Sequence, residues 1–389
     1  MPIITEVEEA LIGPNAAVQL ALPTGVSGAA ILNWQLRNGM SVAQLIANMA
    51  AAVGVANEAL FNQFAGFMRV TEDPYAMYGQ GTGGRSKTAK KTEFVRNPSI
   101  RGAESGNMLI LEDFEDTLAW SAEYLRDARQ SQLDSGVNEI VERYRARFID
   151  DMLTRIFTTT EIAFGSGYVV PWAIGTGVNV PFIPMGNANT NTAFTSAHTH
   201  FQYINGAVNA TNVKTMLGTL VGELRHHGHD GDLYALVSGT DLDAYAGMGK
   251  AFVELNPNNF LIAGGGNTDT PIRYAQNQIE GVPGTLFGYY VGLKGVVALY
   301  WSDRVPSGYL FVTKSYGRNN VKNGVAIRVH PDVGFGLHLD PRGNQSMTNP
   351  QLEYVAVQAT HGFGVNDRTN GAVGYIASGA VAYVNPTFS

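Results

Sequence analysis

Apolar residues recur at helical spacing in three long stretches of the chain. In the first, Ser41 and Gln44 form a capping-box pair. Leu45, Ile46, Met49, Val53, Ala56, Leu60 and Phe64 follow, mostly at steps of three and four, which predicts an amphipathic helix of about six turns. In the second, Val137, Ile140, Val141, Tyr144, Phe148, Met152, Leu153 and Ile156 make one apolar stripe, with Asp134 or Ser135 as the expected cap. Its opposite face carries Glu139, Glu142, Arg143, Arg145, Arg147, Asp150, Asp151 and Arg155. The third stretch places Val213, Met216, Leu217, Leu220, Val221 and Leu224 on one side. Arg225, His226 and His227 close that helix, and Gly228 falls where a left-handed C′ residue is expected. Shorter helices are expected in "EDFEDTLAWSAEYLRDA" (112–128) and "TDLDAYAGM" (240–248).

From residue 233 onward the pattern turns to strands: "LYALVSG", "TLFGYYVGLKGVVALYW", "GYLFVTKSYG", "GVAIRVHP" and "LEYVAVQATHGFGV". Residues 1–40 are turn-rich and sparsely charged and read as an extended arm. Residues 159–210 are rich in Gly, Asn, Thr and Pro, and 258–271 reads as a glycine-rich mobile loop. No repeat of fixed period is visible. Residues 68–111 carry two strand-like limbs around a glycine-rich tip. The tip holds Arg85, Lys87, Lys90, Lys91, Arg96 and Arg101, opposed only by Glu93. The sign then reverses, through Glu104, Glu112, Asp113, Glu115 and Asp116. A hairpin of this length with a polar tip buries no core of its own and must lie on another surface.

Composition sharpens that picture. Charged residues make up 15% of the 389, well below the roughly 25% of ordinary domains, and glycine reaches 45. The surface is therefore largely neutral and polar, or covered by partners. Cysteine is absent, which excludes disulfides and thiolate metal sites. A net charge of −7 gives no general attraction to nucleic acid. The start, "MPIITEVEEALIGPN", lacks the basic and apolar regions of a signal peptide, and no apolar run is expected to span a membrane.

Candidate chemistry is sparse. Five of the eight histidines fall between 198 and 229, in "AHTHF" and "RHHGHDGD". A zinc site needs convergent ligands, and neither His-Glu-x-x-His nor a comparable spacing occurs. His226 and His227 read as an exposed helix end, and His198 and His200 as alternating sides of an extended segment, one buried and one exposed. The cluster is thus expected to be packing, with no metal and no cofactor. "GQGTGG" (79–84) matches a dinucleotide fingerprint only as a string, because it sits in a polar hairpin tip, not between a buried strand and a helix. "GGRSKT" lacks the Gly-Lys-Ser/Thr order of a phosphate loop, and no Gly-x-Ser-x-Gly occurs. No catalytic residue is indicated. Tyr78 and Phe94 near basic residues suggest single-strand nucleic-acid binding, but the acidic run behind them argues for a contact between subunits, which explains both signs.

The ordered set of parts resembles the major capsid protein of tailed bacteriophages, with the Hong Kong 97-like fold. The resemblance covers nearly the whole chain. Stretches similar to capsid proteins of actinobacterial phages are "RGAESGNMLILEDFEDTLAWSAEYL" (101–125), "SAHTHFQYINGAVNATNV" (196–213) and "IRVHPDVGFGLHLDPRGNQSMTNPQLEYVAVQATHGFGVNDRTNGAVGYI" (327–376). It implies an α+β fold with an N-terminal arm (1–66), an extended loop (67–116), a peripheral domain with the spine helix (117–230), an axial domain (231–330), and a return with a C-terminal strand (331–389). It further implies a structural, non-enzymatic protein that assembles with itself into hexamers and pentamers of an icosahedral shell around double-stranded DNA, in the virion, without binding specific sequences or a membrane. A portal and, in some relatives, a decoration protein would be partners. No charged helical segment precedes the arm, so a separate scaffolding protein is expected. An encapsulin-type nanocompartment shell is the alternative with the same fold.

Within such a shell Arg85, Lys87, Lys90 and Lys91 of one subunit are expected to meet Glu104, Glu112, Asp113, Glu139 and Glu142 of the next. Some relatives also join a Lys to an Asn covalently. Lys87, Lys90 or Lys91, with Asn344, Asn349 or Asn366, are the residues here that such chemistry would use.

Overall fold

The computed structural model describes residues 39–80, 103–121, 124, 127–164, 167–174, 198–231, 233–255, 261–263, 283–292, 295–340 and 352–388. In chain order the elements are α1 (Val42–Phe64), β1 (Met68–Thr71), β2 (Tyr75–Gln80), β3 (Ala103–Met108), β4 (Glu112–Ser121), α2 (Gln130–Phe157), β5 (Ile162–Phe164), β6 (Gly167–Val169), β7 (Phe201–Asn205) and α3 (Ala210–His226). There follow β8 (Leu233–Ser238), α4 (Leu242–Ala246), β9 (Phe252–Leu255), β10 (Leu261–Ala263), β11 (Thr285–Gly292), β12 (Gly295–Ser302), β13 (Tyr309–Lys314), β14 (Val325–Val329), β15 (His338–Asp340), β16 (Leu352–Val365) and β17 (Ala372–Ala377). Backbone contacts divide them into two compact units. The first takes the described residues up to Asn62 with Leu111–Ile149 and Arg328–Gly362, and the second takes Gln63–Ile110, Asp150–Ile327 and Phe363–Ser389.

In the first unit, α1 starts as the sequence requires. The Gln44 N–H donates to Ser41 Oγ (3.2 Å) and the Ser41 N–H donates to Gln44 Oε1 (3.0 Å). Leu45, Ile46, Met49, Val53 and Leu60 form its buried face. Against the expectation from sequence, α1 is by length and composition apolar enough to cross a membrane, although that face is buried inside the protein. Leu133, Val137, Ile140, Tyr144 and Phe148 are the buried stripe of α2. That helix begins at Gln130, ahead of the expected Asp134 or Ser135 cap, with the Arg129 N–H donating to Gln132 Oε1 (2.9 Å).

Residues 112–121 are a strand, where a helix was expected. β4 pairs antiparallel with β16 from Glu112↔His361 to Leu352↔Ser121, and β15 takes the other side of β16 at Gln358–Ala356. Phe114, Asp116 and Leu118 are half-buried while Asp113, Glu115 and Thr117 are exposed. That two-residue period fits a strand, and the ladder to β16 outweighs the helical spacing of Phe114 and Leu118.

The second unit is built on an eight-stranded sheet in the order β10-β9-β11-β12-β8-β13-β17-β7. β8 is buried throughout, with a parallel neighbour in β12 and an antiparallel one in β13. Such a strand needs the continuous apolar run "LYALVS". The apolar face of α3 (Val213, Met216, Leu217, Leu220, Val221, Leu224) shares one core with Leu233, Ala235, Val237, Leu299, Leu310 and Ile376. The Asn209 side chain caps its start by accepting from the Asn212 N–H (3.0 Å). Its end is His227 followed by Gly228 at φ 84°, as the sequence indicates.

Buried asparagines replace ladder bonds in the connections of this unit. Asn370 Nδ2 donates to the carbonyls of Lys314 and Lys322 (both 2.9 Å), and Asn323 Nδ2 donates to those of Met68 (3.1 Å) and Gly317 (2.9 Å). Asn319, at φ 50°, accepts from the Val70 N–H (2.7 Å). The abundance of Asn therefore has a structural use as well as a compositional one. β2 and β3 pair from Tyr75↔Met108 to Gln80↔Ala103 as a separate two-stranded ribbon. They are the base of the hairpin that the sequence places at 68–111.

Candidate assembly surface and histidine cluster

The residues expected to meet across a subunit contact fall into two groups. Arg85, Lys87, Lys90 and Lys91 lie outside the described residues. Of the acids, Glu104 stands in β3 opposite Gly79. Glu112 and Asp113 are exposed at the start of β4, and Glu139 and Glu142 are exposed on α2. Asp113 already accepts from Thr360 Oγ1 across the ladder (2.8 Å), and neighbouring Asp116 pairs with Arg143 (3.2 Å). Glu142 lies 4.0 Å from Arg145 on the same helix. Exposed pairs of this kind hold little energy and can exchange partners.

Of the asparagines considered for cross-linking, Asn344 and Asn349 lie outside the described residues. Asn366 is buried, and its Nδ2 donates to the carbonyls of Val321 (2.7 Å) and Asn323 (2.8 Å). Its Oδ1 accepts from Arg69 (3.2 Å). This amide closes a connection inside its own chain.

The histidines converge, contrary to the expectation from sequence. His198 and His200 are two residues apart on extended chain, so their side chains share a face and do not alternate. Their ring centroids are 5.2 Å apart, and that of His227 lies 5.2 Å from His198 and 4.8 Å from His200. One ligand atom from each falls within 4.8 Å of the other two. His200 is fully buried, and His227, expected to be exposed, is buried too.

Three elements create this meeting. The segment entering β7 brings His198 and His200, the C-terminus of α3 brings His227, and the turn before β17 brings the Gly371 carbonyl. His200 Nδ1 lies 2.6 Å from that oxygen, so Nδ1 carries the proton and Nε2 is the lone-pair nitrogen. That Nε2 is buried without a hydrogen-bond partner. His198 Nδ1 lies 3.4 Å from Glu223 Oε2, and His198 Nε2 lies 3.1 Å from His227 Nε2. Glu223, one turn before His227 on α3, also faces His226 Nδ1 at 3.6 Å. The sequence reading missed Glu223, although its spacing of three to His226 and four to His227 puts all three on one helix face.

Burial holds these rings neutral. The pKa of His198 is lowered to about 4 by burial and then by His226. That of His200 is lowered to about 3 by burial and then by His198. That of His227 is lowered too, by burial first and then by His200, His198, His229 and His226. His229 stands apart, with both nitrogens engaged, Nδ1 with Tyr316 Oη (2.7 Å) and Nε2 with Thr369 Oγ1 (2.8 Å).

No protein-family model matches the chain, and neither does any curated protein. Solved structures do. One from Mycobacterium phage Patience is 20% identical, covers 92% of this chain and 94% of its own, and has a TM-score of 0.62. The capsid of cyanophage P-SCSP1u is 13% identical over 81% of this chain and 87% of its own, with a TM-score of 0.44. The mature capsid of bacteriophage PhiM1 is 9% identical over 80% and 86%, also with a TM-score of 0.44. The fold is α+β and Hong Kong 97-like.

Proposed function

We propose that this chain is a major capsid protein that assembles with itself into the icosahedral shell of a tailed bacteriophage. The observation that carries this reading is the end-to-end fold match to a phage structure, over 92% of this chain and 94% of that one. A match of that extent leaves no sizeable part of the chain for another domain. The role is that of a structural protein in the virion.

The physical features agree. The β2–β3 ribbon is two strands wide, and such a ribbon is at best marginally stable alone. A neighbouring subunit would supply the surface it needs. α1 buries one face and exposes Ala47, Ala51, Ala52 and Val55 on the other, with Val55 at 69% exposure. That face is mostly small residues, with Asn48 and Glu58 among its exposed polar positions, and suits contact with another copy. Few charges overall suit a subunit whose surface is repeatedly covered by slightly different neighbours.

The parts carry over as surfaces of the assembly. Residues 1–66 act as the arm and 67–116 as the extended loop over a neighbour. Residues 117–230 with 331–389 form the peripheral region, and 231–330 face the capsomer centre. A separate scaffolding protein, a portal and a decoration protein are the partners to seek. The shell encloses double-stranded DNA without reading its sequence.

Negative-stain microscopy of the expressed chain, with and without its scaffolding partner, tests the reading. Closed particles with hexamers and pentamers are expected. A chain that stays monomeric at high concentration with the scaffold present would overturn it. Nuclease-protected DNA in particles from infected cells, and no packaged enzyme, separates a phage shell from a nanocompartment.

A further inference from the structure

We propose that His198, His200 and His227 form a binding site for one divalent transition-metal ion of the zinc class, with Glu223 and the Gly371 carbonyl orienting the ligand rings. Three imidazoles with ligand atoms within 4.8 Å of one another are a donor set of the right type. The outer partners supply the more specific argument. A metal-bound histidine commonly donates its second N–H to a carboxylate or a backbone carbonyl, which fixes its tautomer and aims the other nitrogen at the ion. His200 has that carbonyl hydrogen-bonded at 2.6 Å, while the Glu223 carboxylate lies 3.4 Å from His198 Nδ1 as an ion-pair contact without hydrogen-bond geometry. His200 therefore presents its Nε2 lone pair to the cluster.

The spacing also fits. Two zinc–nitrogen bonds of the usual length at a tetrahedral angle put their nitrogens about 3.3 Å apart. The Nε2 atoms of His198 and His227 are 3.1 Å apart. Without metal, a His227 Nε2–H can donate to His198. Loading then needs only that His227 move its proton to Nδ1, with no change of charge. His200 Nε2 remains buried and unpartnered under that arrangement, and the ion supplies what it lacks. The cluster sits at the C-terminus of α3, where the helix dipole favours a cation. Glu223 adds negative charge against nearby Arg368, whose guanidinium raises the local potential at His200.

Such an ion would staple the approach to β7 onto the end of α3. A water molecule would take the fourth position, as in other three-histidine sites.

The test uses the full chain, without an affinity tag, stripped by a chelator and then titrated with zinc(II) alone by calorimetry and with cobalt(II) by visible absorption. One ion per chain, a tetrahedral cobalt spectrum and a higher unfolding temperature with zinc are expected. His200→Gln should weaken binding at least 100-fold, and Glu223→Gln, which removes the charge beside His198, about 10–100-fold. If His200→Gln does not fold by circular dichroism, His198→Gln, at a half-buried position, should show the same loss. His226→Gln should bind normally. Absence of saturable binding by the folded wild-type chain would overturn the proposal. So would loss of binding in His226→Gln with retention in His198→Gln or His200→Gln.

Discussion

Asn57 and Leu337, 280 residues apart in sequence, exchange two hydrogen bonds: Asn57 Nδ2 donates to the Leu337 carbonyl (2.8 Å) and the Leu337 N–H donates to Asn57 Oδ1 (2.9 Å). The pair mimics one rung of a sheet ladder between a helix side chain and a turn. Gly336, at φ 91°, makes room for it, because a Cβ there would collide with the Asn57 amide. Phe61, one turn on, packs edge-on against Phe335 at 5.6 Å, so polar and aromatic contacts fix the same turn. Asn57→Ala should therefore destabilise the chain by about 1–3 kcal/mol, since both backbone groups of buried Leu337 lose their partner. Asn57→Asp keeps the acceptor and should fall between. Thermal unfolding of the three proteins checks the order, and an alanine variant as stable as the wild type would refute it.

A second prediction concerns acid. His361 on β16 stacks on Phe114 (4.7 Å), lies 5.4 Å from the Phe148 ring, and has Nδ1 3.3 Å from Tyr144 Oη. Burial, and secondly Arg147, lowers its pKa to about 3. The folded chain keeps this ring neutral while the unfolded chain protonates it near 6.5. Its contribution is thus fully present above about pH 6.5 and is lost progressively toward pH 3. The loss is about 1.4 kcal/mol per pH unit in that window. His361→Phe should be no more stable than the wild type at pH 7.5, having lost the Tyr144 contact, but should gain on it steadily as pH falls to 4. Chemical denaturation at several pH values reads this directly. Parallel pH curves for the two proteins would rule it out.

Legibility in the sequence followed how local the deciding physics was. α1 and α3 were readable down to their caps because Ser41, Gln44 and Gly228 act within one turn. β16 was readable from Leu352 to Val365 because a buried strand needs an unbroken β-prone run. β4 was not, because its strand state depends on a partner more than 230 residues away, as in Gln358 Nε2 donating to Glu115. The histidine site was legible only as a composition. His198 and His200 share a face by simple strand geometry, but only the tertiary fold brings His227 to them. Glu223 carried a helical-spacing signal, three residues before His226 and four before His227 on the polar side of α3.

Asn366 gives a third prediction. Both hydrogens of its amide are held inside the chain, so it is a clamp and not an amide open to attack by a neighbour's lysine. Asn366→Ala should lower stability by about 1–3 kcal/mol. Denaturing gels of assembled particles should show monomer with no Asn366-dependent ladder. A ladder that disappears in Asn366→Ala, in a chain of undiminished stability, would contradict this.

The last prediction tests the charge pattern of the hairpin and rests on the proposed shell function. Glu112 and Glu139 are exposed, whereas Asp113, Asp116 and Glu142 already face Thr360, Arg143 and Arg145. The basic run at Arg85, Lys87, Lys90 and Lys91 precedes these acids by too few residues for two independent binding sites. In a closed shell every subunit both gives and receives the hairpin, so the two runs can meet between copies. Each exposed pair contributes at most about 1 kcal/mol, but assembly multiplies that term over every contact in the shell. Reversing Lys87, Lys90 and Lys91 to Glu should leave circular dichroism unchanged, because no apolar residue is replaced. Assembly should weaken, and more at low salt, where like charges repel over a longer range. Sedimentation at two salt concentrations measures the particle yield. A full yield at low salt would show that the tip faces no acidic neighbour, and would remove the electrostatic account of this contact while leaving the fold assignment intact.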